Sequence, residues 1–271
     1  MSESIPRAPA IFFGHGNPMN ALGGPFTAAW SALARAYAPP KAILMISAHW
    51  FIDKVAVTAA PQPRTIHDFY GFPKPLYDVA YPAPGDPWLV DRVVDLLQPL
   101  EVARDHDWGL DHGTWSVLLH SYPAADIPIV QLSMDATRPA AFHYNLGRRL
   151  AELRDEGVMI AGSGDVVHNL RQARLSGPVE PYDWAVRFND TVKAAIVARD
   201  HQSLIAGPAL SEEAALSIPT DEHWLPLLYV LGAQGQDEAP LFFNDGIDAG
   251  SVSMLGVAFG TRTPSAALAK A

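Results

Sequence analysis

The side chains best suited to chemistry in this sequence are histidines, and their placement says more than their number. His15 stands in FFGHGNPM, His49 in ISAHWF, His168 in AGSGDVVHN and His223 in PTDEHWLPLL. Imidazole is the usual nitrogen ligand for zinc and iron, and with a pKa near ~6.5 it also takes up and returns protons at neutral pH. His112, beside Asp111 in GLDHGTW, and His67, at the head of HDFYGFPKPLY, are further candidates. His106, His120, His143 and His201 stand in no readable motif and are taken as surface or structural residues.

The elements that must position these residues read as an alternation of strands and helices. Residues 10–13, 42–47, 55–59, 127–132, 158–161 and 252–259 are short and apolar almost throughout, as expected of strands covered on both faces. Residues 25–37, 86–97, 139–156 and 182–199 carry apolar side chains at three- and four-residue spacing and predict helices. The alternation predicts an α/β domain with helices on both faces of the sheet, and one domain over 1–271 is the simplest organisation. On that reading His15, His49 and His168 each follow a strand, and ligands bind at the carboxyl ends of strands in open α/β sheets. A single histidine there is as readily a hydrogen-bonding residue. Three in equivalent positions predict a shared site.

The local context of the other candidates leaves alternatives open. Gly14 and Gly16 around His15 admit a close ligand, and with Pro18 they equally make an ordinary turn. Thr220, Asp221 and Glu222 read as a helix start, so Glu222 has capping as well as ligation open to it, and Pro226 must lie in the first turn. Gly113 and Thr114 suggest another loop-to-helix junction. The long aromatic loop over 61–87, with His67, Phe69 and Tyr70, suits a lid over a planar substrate or a hydrophobic cluster under a loop.

Bulk properties exclude several classes of function. The net charge is -10 without a Lys/Arg run, which argues against nucleic acid and anionic membranes as partners. The absence of cysteine removes thiolate ligands, a cysteine nucleophile and disulfides. No apolar run approaches the ~20 residues that span a bilayer, and MSESIPRAP has no apolar leader core, so a cytoplasmic protein is expected. A chain of 271 residues buries a large core unaided, so any metal would serve chemistry rather than folding. GxGxxG, P-loop, GxSxG and HExxH motifs are all missing.

The runs HGNPMNAL, SAHW, HDFYGFP, DHGTW, GSGDVVHNL and PTDEHWLPLL, in this order, resemble the class III extradiol ring-cleaving dioxygenases, best of all the branch similar to 4,5-DOPA dioxygenase. The resemblance covers nearly the whole chain. It implies a three-layer α/β/α sandwich around a mostly parallel, mixed central sheet. It also implies one divalent metal held by His15, His49 and His223, with His168 as acid/base or fourth ligand and His112 as a second catalytic residue. His67, Phe69, Tyr70 and Asp111 are the expected substrate-binding residues. The implied reaction is opening of a DOPA-like catechol ring with O2, on Fe(II) or with Zn(II) as the bound ion, in a monomer or homodimer. Other members use two histidines and a glutamate. Glu222 and His223, as neighbours, point about 100° apart on a helix, so one of them ligates, and the motif of this branch points to His223. A zinc-dependent hydrolase using the same histidines to activate water is the alternative, and a non-catalytic binding protein is a further one. Lys74, Arg138, Arg171 and Arg187 are candidates to meet a substrate carboxylate, though solvation at the surface accounts for each.

Overall fold

The structure, a computed structural model, describes residues 6–174 and 179–261. Residues 1–5, which head the stretch read for a leader, lie outside the described residues. The strands are β1 (Ala10–Gly14), β2 (Ala42–Ile52), β3 (Ala56–Thr58), β4 (Ala103–Asp105), β5 (Ile129–Asp135), β6 (Val158–Gly164), β7 (Leu241–Phe243), β8 (Ile247–Asp248), β9 (Val252–Ser253) and β10 (Gly256–Phe259). Eight of them form one sheet in the order β4-β3-β5-β2-β6-β1-β10-β7, and β8 with β9 makes a separate small hairpin. The central run β5-β2-β6-β1 is parallel. Antiparallel β3 and β10 flank it, so the sheet is mixed.

Side chains alternate across a strand, and both sides of these strands are apolar. Phe12, Leu44, Ile46, Leu132 and Ile160 enter one core with the helices Pro87–Leu96, Ala140–Leu150, Asp183–Ala198 and Leu225–Gly232. Ile11, Phe13, Ile43, Met45 and Met159 enter a second core with the helices Thr27–Arg35 and His112–Ser121. The result is the three-layer α/β/α arrangement. No helix among the described residues is long and apolar enough to cross a membrane.

Four elements depart from the sequence expectation, and three of them shape the site. Strand β2 runs on to Ile52, so His49 lies within it, in a stretch where the register against β5 shifts between Ile46 and Phe51. Such an irregularity re-aims side chains that regular pairing would fix to one face. The helix expected from Thr220 starts at Leu225, with Pro226 in its first turn. Residues 220–224 form turns instead, closed by the N–H groups of Trp224 and Leu225 on the Asp221 carbonyl. The apolar run 252–259 splits into β9 and β10, which sends Val252 to the small hairpin. Residues 139–156 form an α-helix only to Leu150, and then a tighter 3-10 helix that carries the buried Arg154 to the carbonyls of Ala8 and Ala233 and to Glu238. The short β4 and β7 carried no periodic signal.

The loop bearing His223 is laid against the end of β6, where the Asp165 N–H donates to the His223 carbonyl at 3.0 Å. A β-carbon on Gly164 would sit 2.2 Å from that carbonyl oxygen, so only glycine permits the approach. Gly164→Ala is therefore expected to destabilise the fold by about 1–3 kcal/mol, the usual range for overpacking. A thermal melt reads this, and an unchanged midpoint would show that the His223 loop does not depend on the contact.

Candidate metal centre

The carboxyl ends of β1, β2 and β6 bring the histidines together. His15 directly follows β1, His49 projects from the irregular part of β2, and His223 sits on the loop pressed against β6. His168 lies past β6, where its N–H donates to the Ser217 carbonyl at 2.8 Å and its backbone bridges to Val252. His112 opens the helix His112–Ser121, whose N-cap is Asp111 rather than Thr114. All five line one cavity of about 300 Å³, together with Gly16, Asn17, Pro18, Phe72, Leu170, Asp248, Ala249 and Val252. The ring centres of His15, His49 and His223 form a nearly equilateral triangle of 5.1, 5.3 and 5.3 Å. His168 stacks on His223 at 3.5 Å and 10°. His112 lies 3.8 Å from His49.

A hydroxyl and two carboxylates around the cluster bias which nitrogens carry protons. The Ser163 hydroxyl donates to the Gly113 carbonyl at 2.5 Å, so towards His15 it acts as acceptor. His15 Nδ1, 2.9 Å from that oxygen, is therefore the N–H, and Nε2 is left as a lone pair. The Asp68 Oδ2 stands 3.3 Å from His49 Nδ1 and 2.9 Å from His112 Nδ1, out of line for a hydrogen bond from the His112 ring, and its charge favours the proton of both rings on that side. The Glu222 carboxylate does the same for His223 Nδ1 at 3.3 Å while accepting the Thr220 hydroxyl at 2.8 Å. His15 Nε2 and His49 Nε2 consequently face one another at 3.2 Å with two lone pairs. That contact is repulsive unless something positive lies between the two nitrogens.

A proton is disfavoured there. Burial, reinforced by the neighbouring imidazoles, holds His15 and His223 well below the usual histidine range. Burial and His112 bring His49 down to about 3, against the pull of Asp68. Burial brings His168 to about 4. Burial pushes the Asp68 carboxyl up, but its hydrogen bond and charge attraction to His112 outweigh this and hold it below the usual range. Neutral imidazoles, oriented by a hydroxyl and two carboxylates behind them, are a donor set for a divalent cation. Among the described residues, three groups of donor atoms lie within 4.8 Å of one another, His15, His49 and His112; His15, Asp165 and His223; and His168, Glu222 and His223, so the expected trio of His15, His49 and His223 is spread over two of them.

The expected substrate-binding residues sit differently. Asp111 is fully buried behind the cavity and accepts from Ser47 Oγ at 2.6 Å, Gln131 Nε2 at 2.7 Å and the Thr114 N–H at 3.2 Å. It braces the helix start. His67 Nε2 donates to the Val79 carbonyl at 3.0 Å and packs against Phe69, Tyr77 and Trp115. Phe69 backs His112 edge-on at 5.5 Å, and from this loop it is Phe72 that lines the cavity. Tyr70 is 92% exposed. Lys74 pairs with Asp78, Arg187 with Glu213, and Arg138 lies over the Phe142 ring. His120, His143 and His201 bond to the Asn20 carbonyl, Tyr229 and Tyr144, away from the cavity. Asp68, Ser163 and Asp165 went unread, although HDFYGFP and GSGDVVHN contain them. An acidic residue directly after a strand, inside a glycine-bearing run, is the signal that points to Asp165.

Residues 18–257 match the family described as the catalytic LigB subunit of aromatic ring-opening dioxygenase. The chain is 50% identical over 261 residues to 4,5-DOPA dioxygenase extradiol of Escherichia coli (strain K12), covering 95% of this chain and 96% of that one. It is 37% identical over 252 residues to 4,5-DOPA dioxygenase extradiol of Beta vulgaris, covering 90% and 93%. A crystal structure of an uncharacterized protein from Escherichia coli K12 superposes with a TM-score of 0.83 at 46% identity, over 94% of this chain and all of that one.

The neutral cluster makes stability depend on pH. In the unfolded chain these histidines titrate near 6.5, and in the fold His15, His49, His168 and His223 titrate lower. As pH falls through 6.5 the unfolded state binds more protons, so stability declines down to the lowered folded values. Burial raises the Asp165 and Asp111 carboxyls and acts in the opposite sense, but the four imidazoles outnumber them. The melting temperature of metal-free protein should therefore fall steadily between about pH 7 and pH 5, within the His titration range. A flat or rising profile would contradict a cluster held neutral by the fold.

Proposed function

The chain belongs to the LigB family of class III extradiol ring-opening dioxygenases, and from that premise we propose that its substrate is a DOPA-like catechol, opened with O2 at one divalent metal held by His15, His49 and His223. The observation that carries the reading is the approach of His15 Nε2 and His49 Nε2 to 3.2 Å, with the His223 ring closing the triangle. A ferrous ion bound there would acidify the two catechol hydroxyls and bring O2 within reach of the ring.

The other residues handle protons and orientation. His168 is in its base form at neutral pH, since burial holds it at about 4, and its stack on His223 sets its ring beside the ligand. It takes a hydroxyl proton from the catechol and returns one as the ring opens. His112, anchored through Nδ1 to Asp68, offers the cavity a second oriented imidazole. Phe72, Pro18, Leu170 and Val252 give apolar walls for a planar ring and limit the water that enters. Asp248 lines the same cavity, and no lysine or arginine does among the described residues, so the substrate's side arm meets this protein through an amine.

The test is to strip the protein with a chelator, reload it under argon with Fe(II) or Zn(II), and admit air over catechols with aminoalkyl or carboxyalkyl arms. An oxygen electrode and a visible spectrum should record O2 uptake and a yellow ring-opened product in the iron sample alone, faster with the aminoalkyl arm. Uptake in neither sample would sink the reading and favour a zinc-dependent hydrolase. In the same assay His168→Ala should retain its metal while turnover drops by about 10²–10⁴, the usual contribution of a general acid/base. Loss of the metal would make His168 a ligand instead.

A further inference from the structure

Asp165 directly follows β6 and is 1% exposed. Its Oδ1 accepts the Gly16 N–H at 2.9 Å, while its Oδ2 is buried without a hydrogen-bond partner. That orphaned oxygen faces His15 Nε2 at 3.6 Å, the same nitrogen whose tautomer presents a lone pair. The donor atoms of His15, Asp165 and His223 all lie within 4.8 Å of one another, and all three residues are buried. Asp165 Oδ2 and His49 Nε2 thus both approach His15 Nε2, and no lysine or arginine pairs with the carboxylate among the described residues.

A buried carboxylate is retained only where a positive partner or a full set of hydrogen bonds stabilises it. The Gly16 hydrogen bond does not explain the choice, because an asparagine oxygen would accept it equally well. What asparagine would lack is the charge.

We propose that Asp165 is the anionic member of the metal centre, turning its Oδ2 to the ion from the side of His15 and His223. It adds a carboxylate beside the histidine ligands, the kind of anionic oxygen donor that ferrous oxygenases favour, supplied from the end of β6 rather than from Glu222. Glu222 is engaged with His223 Nδ1 and Thr220. The inference rests on the metal-centre reading above.

The experiment compares wild type with Asp165→Asn, both stripped of metal. Co(II) and Zn(II) affinities are measured by competition with a chromophoric chelator, visible spectra are recorded with Co(II), and melting temperatures are taken with and without metal. Asp165→Asn should melt, metal-free, no lower than wild type, because asparagine has nearly the same shape and keeps an oxygen to accept the Gly16 N–H. It should bind both ions at least about 10-fold more weakly, within the range seen when groups around a metal are lost, and show a changed Co(II) spectrum. Wild-type affinity with an unchanged spectrum would overturn the proposal, as would a lower metal-free melting temperature with affinity intact, which marks a structural role. If Asp165→Asn fails to fold, Asp165→Ser, smaller and equally uncharged, is read by the same criteria. Failure of the wild type itself to take up an ion would instead count against the metal-centre reading.

Discussion

Burying several imidazoles at one point is the constraint on which the remainder of the structure depends. Burial disfavours charge on His15, His49, His168 and His223, and neighbouring rings reinforce this, so these imidazoles are held neutral. The fold tolerates this because four of the five rings are held from behind. Ser163 holds His15, Asp68 holds His49 and His112, and Glu222 holds His223. These contacts fix orientation without supplying positive charge. The vertex of the arrangement is therefore electron-rich and already oriented for a cation.

The scaffold does the rest by close approach. Parallel β1, β2 and β6 end side by side, and two glycines remove the bulk that would hold the loops apart. Gly164 lets the His223 backbone lie on β6. A β-carbon on Gly113 would stand 2.6 Å from Ser47 Oγ and 2.8 Å from the His49 ring, so glycine there lets the His112 helix start close over β2. The same helix start takes its cap from Asp111, which also ties Ser47 and Gln131 into the sheet. A buried polar network under the site thus links the sheet to the helix that carries His112.

Much of this was legible from the residues. Continuous apolar runs marked the central strands, because burial on both faces leaves no alternation to obscure them. The histidines at strand ends marked the cavity, and the order of short runs around them marked the family. What stayed hidden follows from tertiary contact. His49 was read as following its strand because no sequence pattern shows where β2 loses register with β5. Thr220 looked like a cap because its hydroxyl and the acids after it suit one, yet the hydroxyl goes to Glu222 and the helix waits until Leu225. Aromatic content left a lid over the site and a hydrophobic cluster under the loop both open for the segment of His67 and Tyr70. Aromatic content alone does not tell a packed loop from a lid, and here His67 joins the cluster under the loop while Tyr70 faces solvent. Asp165 and Asp68 passed unnoticed beside more conspicuous neighbours, since an isolated carboxylate carries no spacing signal.

The central claim is that the fold holds a neutral imidazole cluster in readiness for a divalent ion. Calorimetric titration of chelator-stripped protein with Zn(II) or anaerobic Fe(II), followed by a thermal melt of the loaded form, tests it most directly. The account predicts saturation at one ion per chain, proton release small enough to show that the ligands were already neutral at pH 7, and a clear rise in melting temperature on loading. No saturable uptake, or uptake that leaves the melting temperature unmoved, would contradict it.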